Sequence, residues 1–290
     1  MSATALALIL LASVTHALWN FLTKRTSGGI VFTWMVYTSS TCVFLPFAIT
    51  NIHPFHWATN VVAICLISGG LRLLYFIVLQ AGYRKADLSV VYPLARGGAP
   101  LFTTLAAIAI IHETPNIYTM LGMATITTGV LIITKARFYS PDKKLKTGLV
   151  YGVLTAVLIA VYTIWDKLAI ERGITPLALT FTSNVFGAIA LAPLAIKNKE
   201  SIKKIFTKDR WSILAIAVLS PVSYLLVLEA MKTTDVIYLA PAREISILFG
   251  IVIGGALMAE GETRRRLLAG CFILAGIIVL TLSPMNGTDL

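Results

Sequence analysis

Ten stretches of this 290-residue chain are apolar over about 20 residues each, and that length limits the fold more than any motif does. They run roughly 3–23, 30–50, 58–80, 87–111, 116–134, 147–169, 175–196, 211–231, 235–259 and 265–283. A helix rises about 1.5 Å per residue, so about 20 residues cover the roughly 30 Å hydrocarbon core of a bilayer. Hydrophobic residues make up 57% of the chain and charged residues only 13%, with a mean hydropathy of +0.84. A soluble domain of this size needs about twice that share of charge, roughly 25%, to keep its surface in water. The expected fold is therefore an all-α integral membrane protein with ten transmembrane helices. The short connections leave no soluble domain for catalysis or nucleic-acid binding.

The net charge of +11 does not signal a nucleic-acid partner, because of where the charge sits. Ten spans divide the loops into two sets. Eighteen of the 24 basic residues fall in the set joining spans 1–2, 3–4, 5–6, 7–8 and 9–10. The opposite set holds Lys167, Arg172 and Lys232, and the spans themselves hold Arg72, Arg96 and Arg243. Such asymmetry places the basic loops in the cytoplasm and both termini outside, in a bacterial inner membrane. Lys203-Lys204 and Arg264-Arg265-Arg266 read as topology signals and anionic-lipid contacts. Trp34, Trp57 and Trp211 suit an interfacial aromatic belt. The first apolar stretch has no basic leader and no small-residue cleavage site, so it reads as a retained helix. Cys42, Cys65 and Cys271 lie in apolar runs without C-x-x-C spacing, so neither a disulfide framework nor a metal site is expected.

The chain is written twice. Ala86-Asp87-Leu88-Ser89-Val90-Val91-Tyr92-Pro93-Leu94-Ala95-Arg96 recurs as Thr234-Asp235-Val236-Ile237-Tyr238-Leu239-Ala240-Pro241-Ala242-Arg243-Glu244. His16-Ala17-Leu18-Trp19-Asn20 matches Tyr162-Thr163-Ile164-Trp165-Asp166, and the second and fifth spans match at the same separation. Two units follow, 1–140 and 141–290, divided near Ser140-Pro141-Asp142. Five spans per unit force the second to enter the membrane from the opposite side. Inverted repeats of this kind place a site near mid-membrane at their interface and permit alternating access.

These segments, running on to Glu113 and Glu260 and joined by glycine-rich fifth spans, resemble the EamA-type transporters of the drug/metabolite superfamily. The likeness covers nearly the whole chain. His16-Ala17-Leu18-Trp19-Asn20-Phe21-Leu22-Thr23-Lys24 also resembles a subgroup associated with phosphonate utilisation. The resemblance implies two five-helix repeats and small-molecule transport, often export, without fixing a substrate.

Charge at membrane depth marks the candidate site. Arg96 and Arg243 lie about nine residues into their helices, roughly 13 Å along the axis and too deep for easy snorkelling. Each needs a carboxylate, carbonyls, water or an anionic ligand. Glu244 is adjacent to Arg243 and aligns with Arg96 across the repeats, so an Arg96–Glu244 salt bridge competes with ligand contact. Arg72 shares a helix face with Tyr75, which suits an organic anion or zwitterion, or else neighbouring carbonyls. Trp19, Tyr92 and Tyr224 are further candidates for a wet cavity lining. His16 and Glu244 are candidates for carrying a coupling proton, against a structural hydrogen-bonding role for the histidine. Pro93 and Pro241 each remove a backbone donor, so helix breaks are expected there. Asp87 and Asp235 read as helix N-caps. Asp166 reads as an interfacial, solvated carboxylate.

Arg72, Arg96, Arg243 and Glu244 sum to +2, which favours an amino acid, carboxylate, phosphonate or similar anion or zwitterion. No phosphate-binding G-x-x-x-x-G-K-[ST] segment is present, so export coupled to an ion gradient is expected. The rival functions are a lipid or lipid-linked-precursor flippase and an intramembrane lipid-phosphate enzyme. The latter lacks any His-Glu-x-x-His or Gly-x-Ser-x-Gly constellation, so no catalytic residue, metal or cofactor is expected. Expected partners are a small-molecule substrate and membrane lipids, with a proton and a second copy of the chain as further candidates.

Overall fold

The computed structural model describes residues 2–26, 28–51, 59–86, 88–134, 143–247, 249 and 263–282. Ten helices order these residues: α1 Ala3–Lys24, α2 Gly29–Asn51, α3 Thr59–Lys85, α4 Leu88–Ile110, α5 Ile117–Thr134, α6 Lys143–Glu171, α7 Pro176–Lys197, α8 Lys199–Ala230, α9 Val236–Ala242 and α10 Thr263–Thr281. Six are long and apolar enough to cross a membrane, and Leu94–Ile110, Ile117–Ile132 and Leu268–Leu280 are shorter apolar segments. The expected unit boundary at 140/141, the later part of the span 235–259 (248 and 250–259), Trp57, Asp87 and Glu260 lie outside the described residues.

The helix ends follow local chemistry. Ser2 Oγ accepts from Ala5 N at 3.2 Å, and Thr175 Oγ1 accepts from Ala178 N at 3.3 Å with Pro176 next in line. Both satisfy amide donors that a helix start leaves without partners. At the end of α6, Gly173 takes φ +82° and Ile174 N donates to Ala169 O at 3.1 Å. His112 takes the same left-handed turn after α4, with φ 57°, and Glu113 N donates to Ala107 O at 3.2 Å. A left-handed residue one step past the last helical turn lets these amides reach back to carbonyls a helix end leaves open.

Polarity is arranged inside out. Leu11, Phe47, Ile49, Ile189, Ile196 and Ile278 are all more than half exposed, while Asp166 is fully buried and Glu244 is 4% exposed. An apolar outer surface of this extent matches lipid, and ionisable groups turned inward match a bundle interior.

Several helix pairings repeat when the halves are exchanged. α1 packs on α8 as α6 packs on α3, α2 on α8 as α7 on α3, and α2 pairs with α7, α4 with α9 and α5 with α10. A side-chain bond to a backbone carbonyl stitches each member of the first pair: Ser223 Oγ donates to Ala12 O at 3.0 Å, and Trp165 Nε1 donates to Ile64 O at 3.0 Å. Small residues set the closest crossings. A Cβ on Gly276 of α10 would stand 2.7 Å from Gly122 O of α5, and one on Gly152 of α6 would stand 2.6 Å from Leu94 Cβ of α4. Without a hydrophobic drive between helices in lipid, such close backbone packing is what associates them.

Three sequence expectations are corrected here. The basic loop expected between spans seven and eight is helix: only Asn198 separates α7 from α8. Ile202 and Ile205, one turn apart, pack beside Val31, Phe32 and Met35, which draws this charged segment into helical periodicity. Pro93 does not break its helix, because α4 runs unbroken from Leu88 to Ile110. Pro93 is the sixth residue of α4 and removes one backbone bond near the start, which the long remainder tolerates. Pro241 lies inside α9, which ends one residue later at Ala242, and Arg243 and Glu244 form a turn before helical residues resume. There Glu244 N donates to Pro241 O at 3.0 Å and Ile247 N to Glu244 O at 2.9 Å, both spaced three residues apart.

The third correction concerns a cap. Asp235 occupies the N-cap position of α9 but makes no side-chain cap bond. Glu113, from the first repeat, does so instead: Val236 N donates to Oε1 at 2.8 Å and Ile237 N to Oε2 at 2.9 Å. Burial pushes the Glu113 carboxyl above its usual range, an effect opposed by these two donors and by Lys167. The end of α4 is thus fastened to the start of its repeat partner. Glu113→Ala is expected to cost about 1–2 kcal/mol by losing two cap bonds, and Glu113→Gln less because one acceptor remains. Unfolding of the detergent-solubilised variants measures both.

Candidate functional site

Ionisable side chains from both repeats meet in two clusters. In the first, α3 supplies Ser68 and Arg72, one turn apart on one face. Asp166 of α6 lies between them: Arg72 Nη2 donates to Oδ2 at 2.7 Å and Ser68 Oγ to Oδ1 at 2.5 Å. Tyr224 of α8 donates its hydroxyl to the same Oδ2 at 2.6 Å. The Arg72 guanidinium also lies 3.8 Å above the Tyr224 ring, where the negative face of the ring attracts it. The buried Nε of Arg72 has no hydrogen-bond partner among the described residues. Asp166 is therefore not the solvated interfacial carboxylate expected from its place in the sequence. Helix α6 extends to Glu171 and carries it inside the bundle, where Arg72 requires an anion.

The second cluster joins α1, α4 and the turn after α9. Arg96 Nη2 donates to His16 Nε2 at 2.6 Å, and Arg96 Nη1 stands 3.8 Å from Glu244 Oε1. An arginine can only donate, so His16 Nε2 is the acceptor and the imidazole proton lies on Nδ1. The pairing of Arg96 with Glu244 is loose, beyond hydrogen-bond reach. Glu244 Oε2 is buried without a hydrogen-bond partner among the described residues. The Arg243 guanidinium lies 5.7 Å from the ring of Tyr224, which Arg72 also contacts, and makes no ion pair among the described residues.

A cavity of about 50 Å³ opens between these elements. His16, Tyr75, Arg96, Pro100, Thr103, Tyr162, Thr163, Arg243 and Glu244 line it, so α1, α3, α4, α6 and the α9 turn all contribute. Tyr162 is edge-on to Tyr75 at 5.7 Å and to Tyr224 at 6.3 Å, an aromatic bridge between the two clusters. At this volume the cavity has room for a few waters.

Among the sequence candidates, Tyr75, Arg96, Arg243, Glu244 and His16 come together at the cavity. Arg72 and Tyr224 sit behind it, engaged by Asp166. Trp19 packs edge-on to His16 at 5.0 Å and against the cluster of Val31 and Phe32, away from the cavity lining. The Tyr92 and Pro93 side chains lie outside the described residues. Among the described residues no three His, Cys, Asp or Glu side chains stand close enough to hold a metal ion. Sequence reasoning missed Ser68, Thr163 and the partner of Arg72. Ser68 was within reach, being four residues before Arg72 on the same face. With Asp166 included, Arg72, Arg96 and Arg243 are balanced by two carboxylates, so the net charge of the ionised set is +1 rather than the +2 expected.

A lipid-facing helical bundle with two like halves and charges gathered where they meet is the architecture of a membrane transporter. The sequence pattern of the EamA-like transporter family matches residues 3–135 and again 146–282. The chain belongs to that family, and both five-helix repeats are accounted for. A solved crystal structure 15% identical to it aligns over 97% of this chain and 98% of its own, with a TM-score of 0.79, which shows a shared fold. A search of the curated proteins gives no match.

Proposed function

We propose that this membrane transporter moves a small organic anion or zwitterion by alternating access, with Arg243 as its principal anion-binding group. The observation that carries this reading is the Arg243 guanidinium at the cavity between the repeats, near the Tyr224 ring and in no ion pair among the described residues. A cation held away from water draws in an anionic group. The turn that carries Arg243 interrupts its helix, whereas the corresponding helix of the first repeat is continuous. The interruption supports a bending point at the site.

In this reading the units 1–140 and 141–290 rock about the cavity, the basic loops face the cytoplasm, and export is driven by an ion gradient. His16 and Glu244 are the candidate proton carriers. A proton bound to His16 Nε2 must first displace Arg96, which ties protonation there to movement of the cluster.

Transport by the full chain in proteoliposomes tests the proposal with a panel of carboxylates, phosphonates, amino acids and organic cations. Arg243→Gln is expected to lower uptake of the anionic or zwitterionic substrate by roughly thirtyfold, the scale of losing one buried charge contact worth about 2 kcal/mol. Transport confined to cations and indifferent to Arg243→Gln and Arg96→Gln would sink the reading.

A further inference from the structure

We infer that the substrate is a zwitterion whose cationic nitrogen is received by Glu244 while its acidic group is received by Arg243. This rests on the proposed anion site and narrows it. The inference comes from which groups at the cavity have their bonding met. Arg72, Ser68 and Tyr224 are all committed to Asp166. His16 Nε2 is occupied by Arg96, and Arg96 leans on Glu244 through Oε1. Arg243, Glu244 and Thr163 all line the cavity and carry groups left over: the Arg243 guanidinium makes no ion pair among the described residues, and Glu244 Oε2 and the Thr163 hydroxyl are buried with no hydrogen-bond partner among them. Glu244 is 4% exposed and Thr163 1% exposed, so bulk water cannot serve them freely.

These leftovers have opposite needs. A simple anion would satisfy Arg243 and take a hydrogen bond from Thr163, but it would add a like charge beside a carboxylate that is already short of donors. A simple amine would satisfy Glu244 and repel Arg243. A molecule carrying both charges a few bonds apart satisfies all three at once, and it adds no net charge to the bundle. Buried polar atoms without partners are expensive, and a site built around them rejects analogues that leave them unpaired. Arg243 and Glu244 are consecutive residues, so a regular helix would turn them about 100° apart. The turn after α9 places both on the cavity wall.

Matched probes test the inference without needing a variant. Proteoliposomes of the full chain are given α-amino acids alongside their 2-hydroxy acids and decarboxylated amines, and aminoalkylphosphonates alongside alkylphosphonates. At least one zwitterion is expected to be transported at least about tenfold more efficiently than both of its one-charge analogues. In Glu244→Gln the advantage over the matched anion is expected to shrink, with the variant's folding verified by its melting temperature. An anion transported as well as its zwitterion overturns the inference and leaves the anion site standing. An amine transported as well as the zwitterion, insensitive to Arg243→Gln, overturns both. A preference for the zwitterion that Glu244→Gln leaves intact in a folded variant overturns the role of Glu244.

Discussion

Asp166→Ala is expected to destabilise the folded protein by about 3–5 kcal/mol, the scale for removing one partner of a buried ion pair. Asp166 is fully buried and accepts from Arg72, Ser68 and Tyr224. Its loss strands a guanidinium and two hydroxyl donors inside the bundle. The cost then comes from the charge left behind more than from the attraction removed. Asp166→Asn should fall between, because the amide oxygen still accepts hydrogen bonds but carries no charge. The double variant Arg72→Met with Asp166→Leu should recover much of the stability, since apolar replacement of both partners removes the stranded charge. Denaturation of detergent-solubilised protein measures all three. Equal losses in the single and double variants would show that the pair acts through packing instead.

Gly276→Val should prevent accumulation of well-folded protein. A Cβ at Gly276 would meet Ile126 Cγ1 at 2.6 Å, Gly122 O at 2.7 Å and Ile126 N at 3.0 Å. Two of those atoms are backbone, so relief requires α5 and α10 to separate. Gly276→Ala already forces this shift and should cost about 1–3 kcal/mol, the range for overpacking a close contact. Gly97→Ala is the control: its nearest neighbours would be Leu131 and Val130 side chains at 3.7 Å, ordinary contact distance. Monodisperse yield and melting temperature distinguish the three variants. Gly276→Val behaving like Gly97→Ala would mean that the α5–α10 crossing is looser than described.

Local signals and long-range ones fared differently in the sequence. Apolar runs of membrane length, the matched segments Asp87–Arg96 and Asp235–Glu244, and the odd number of spans per half all led to the observed class of fold. Helix ends were less legible. The basic stretch from Lys199 to Arg210 looked like a loop because its charges were conspicuous, while the apolar spacing of Ile202 and Ile205 governed its packing. Asp235 looked like its own helix's cap because capping was sought nearby. The group that caps α9 lies 123 residues earlier, at Glu113. Glu113 and Glu260 recur in register in the two repeats, so the sequence did hold a sign that a glutamate mattered there.

The candidate site divides along the same line. The intramembrane charges Arg72, Arg96, Arg243 and Glu244 stood out because charge is costly at that depth, whatever its partner. Which charge answers which was not legible. Arg72 meets Asp166 from 94 residues away, and Arg96 meets His16 from 80. Those contacts depend on how each helix is rotated about its axis, a quantity set by packing against several neighbours at once. Bilayer thickness constrains every span independently of the others, so the sequence alone determined a membrane-spanning helical protein built from two repeats. Only the tertiary structure decided that Arg72 is neutralised and that Arg243 and Glu244 line the cavity, because pairing is a property of helices brought together and not of any one helix.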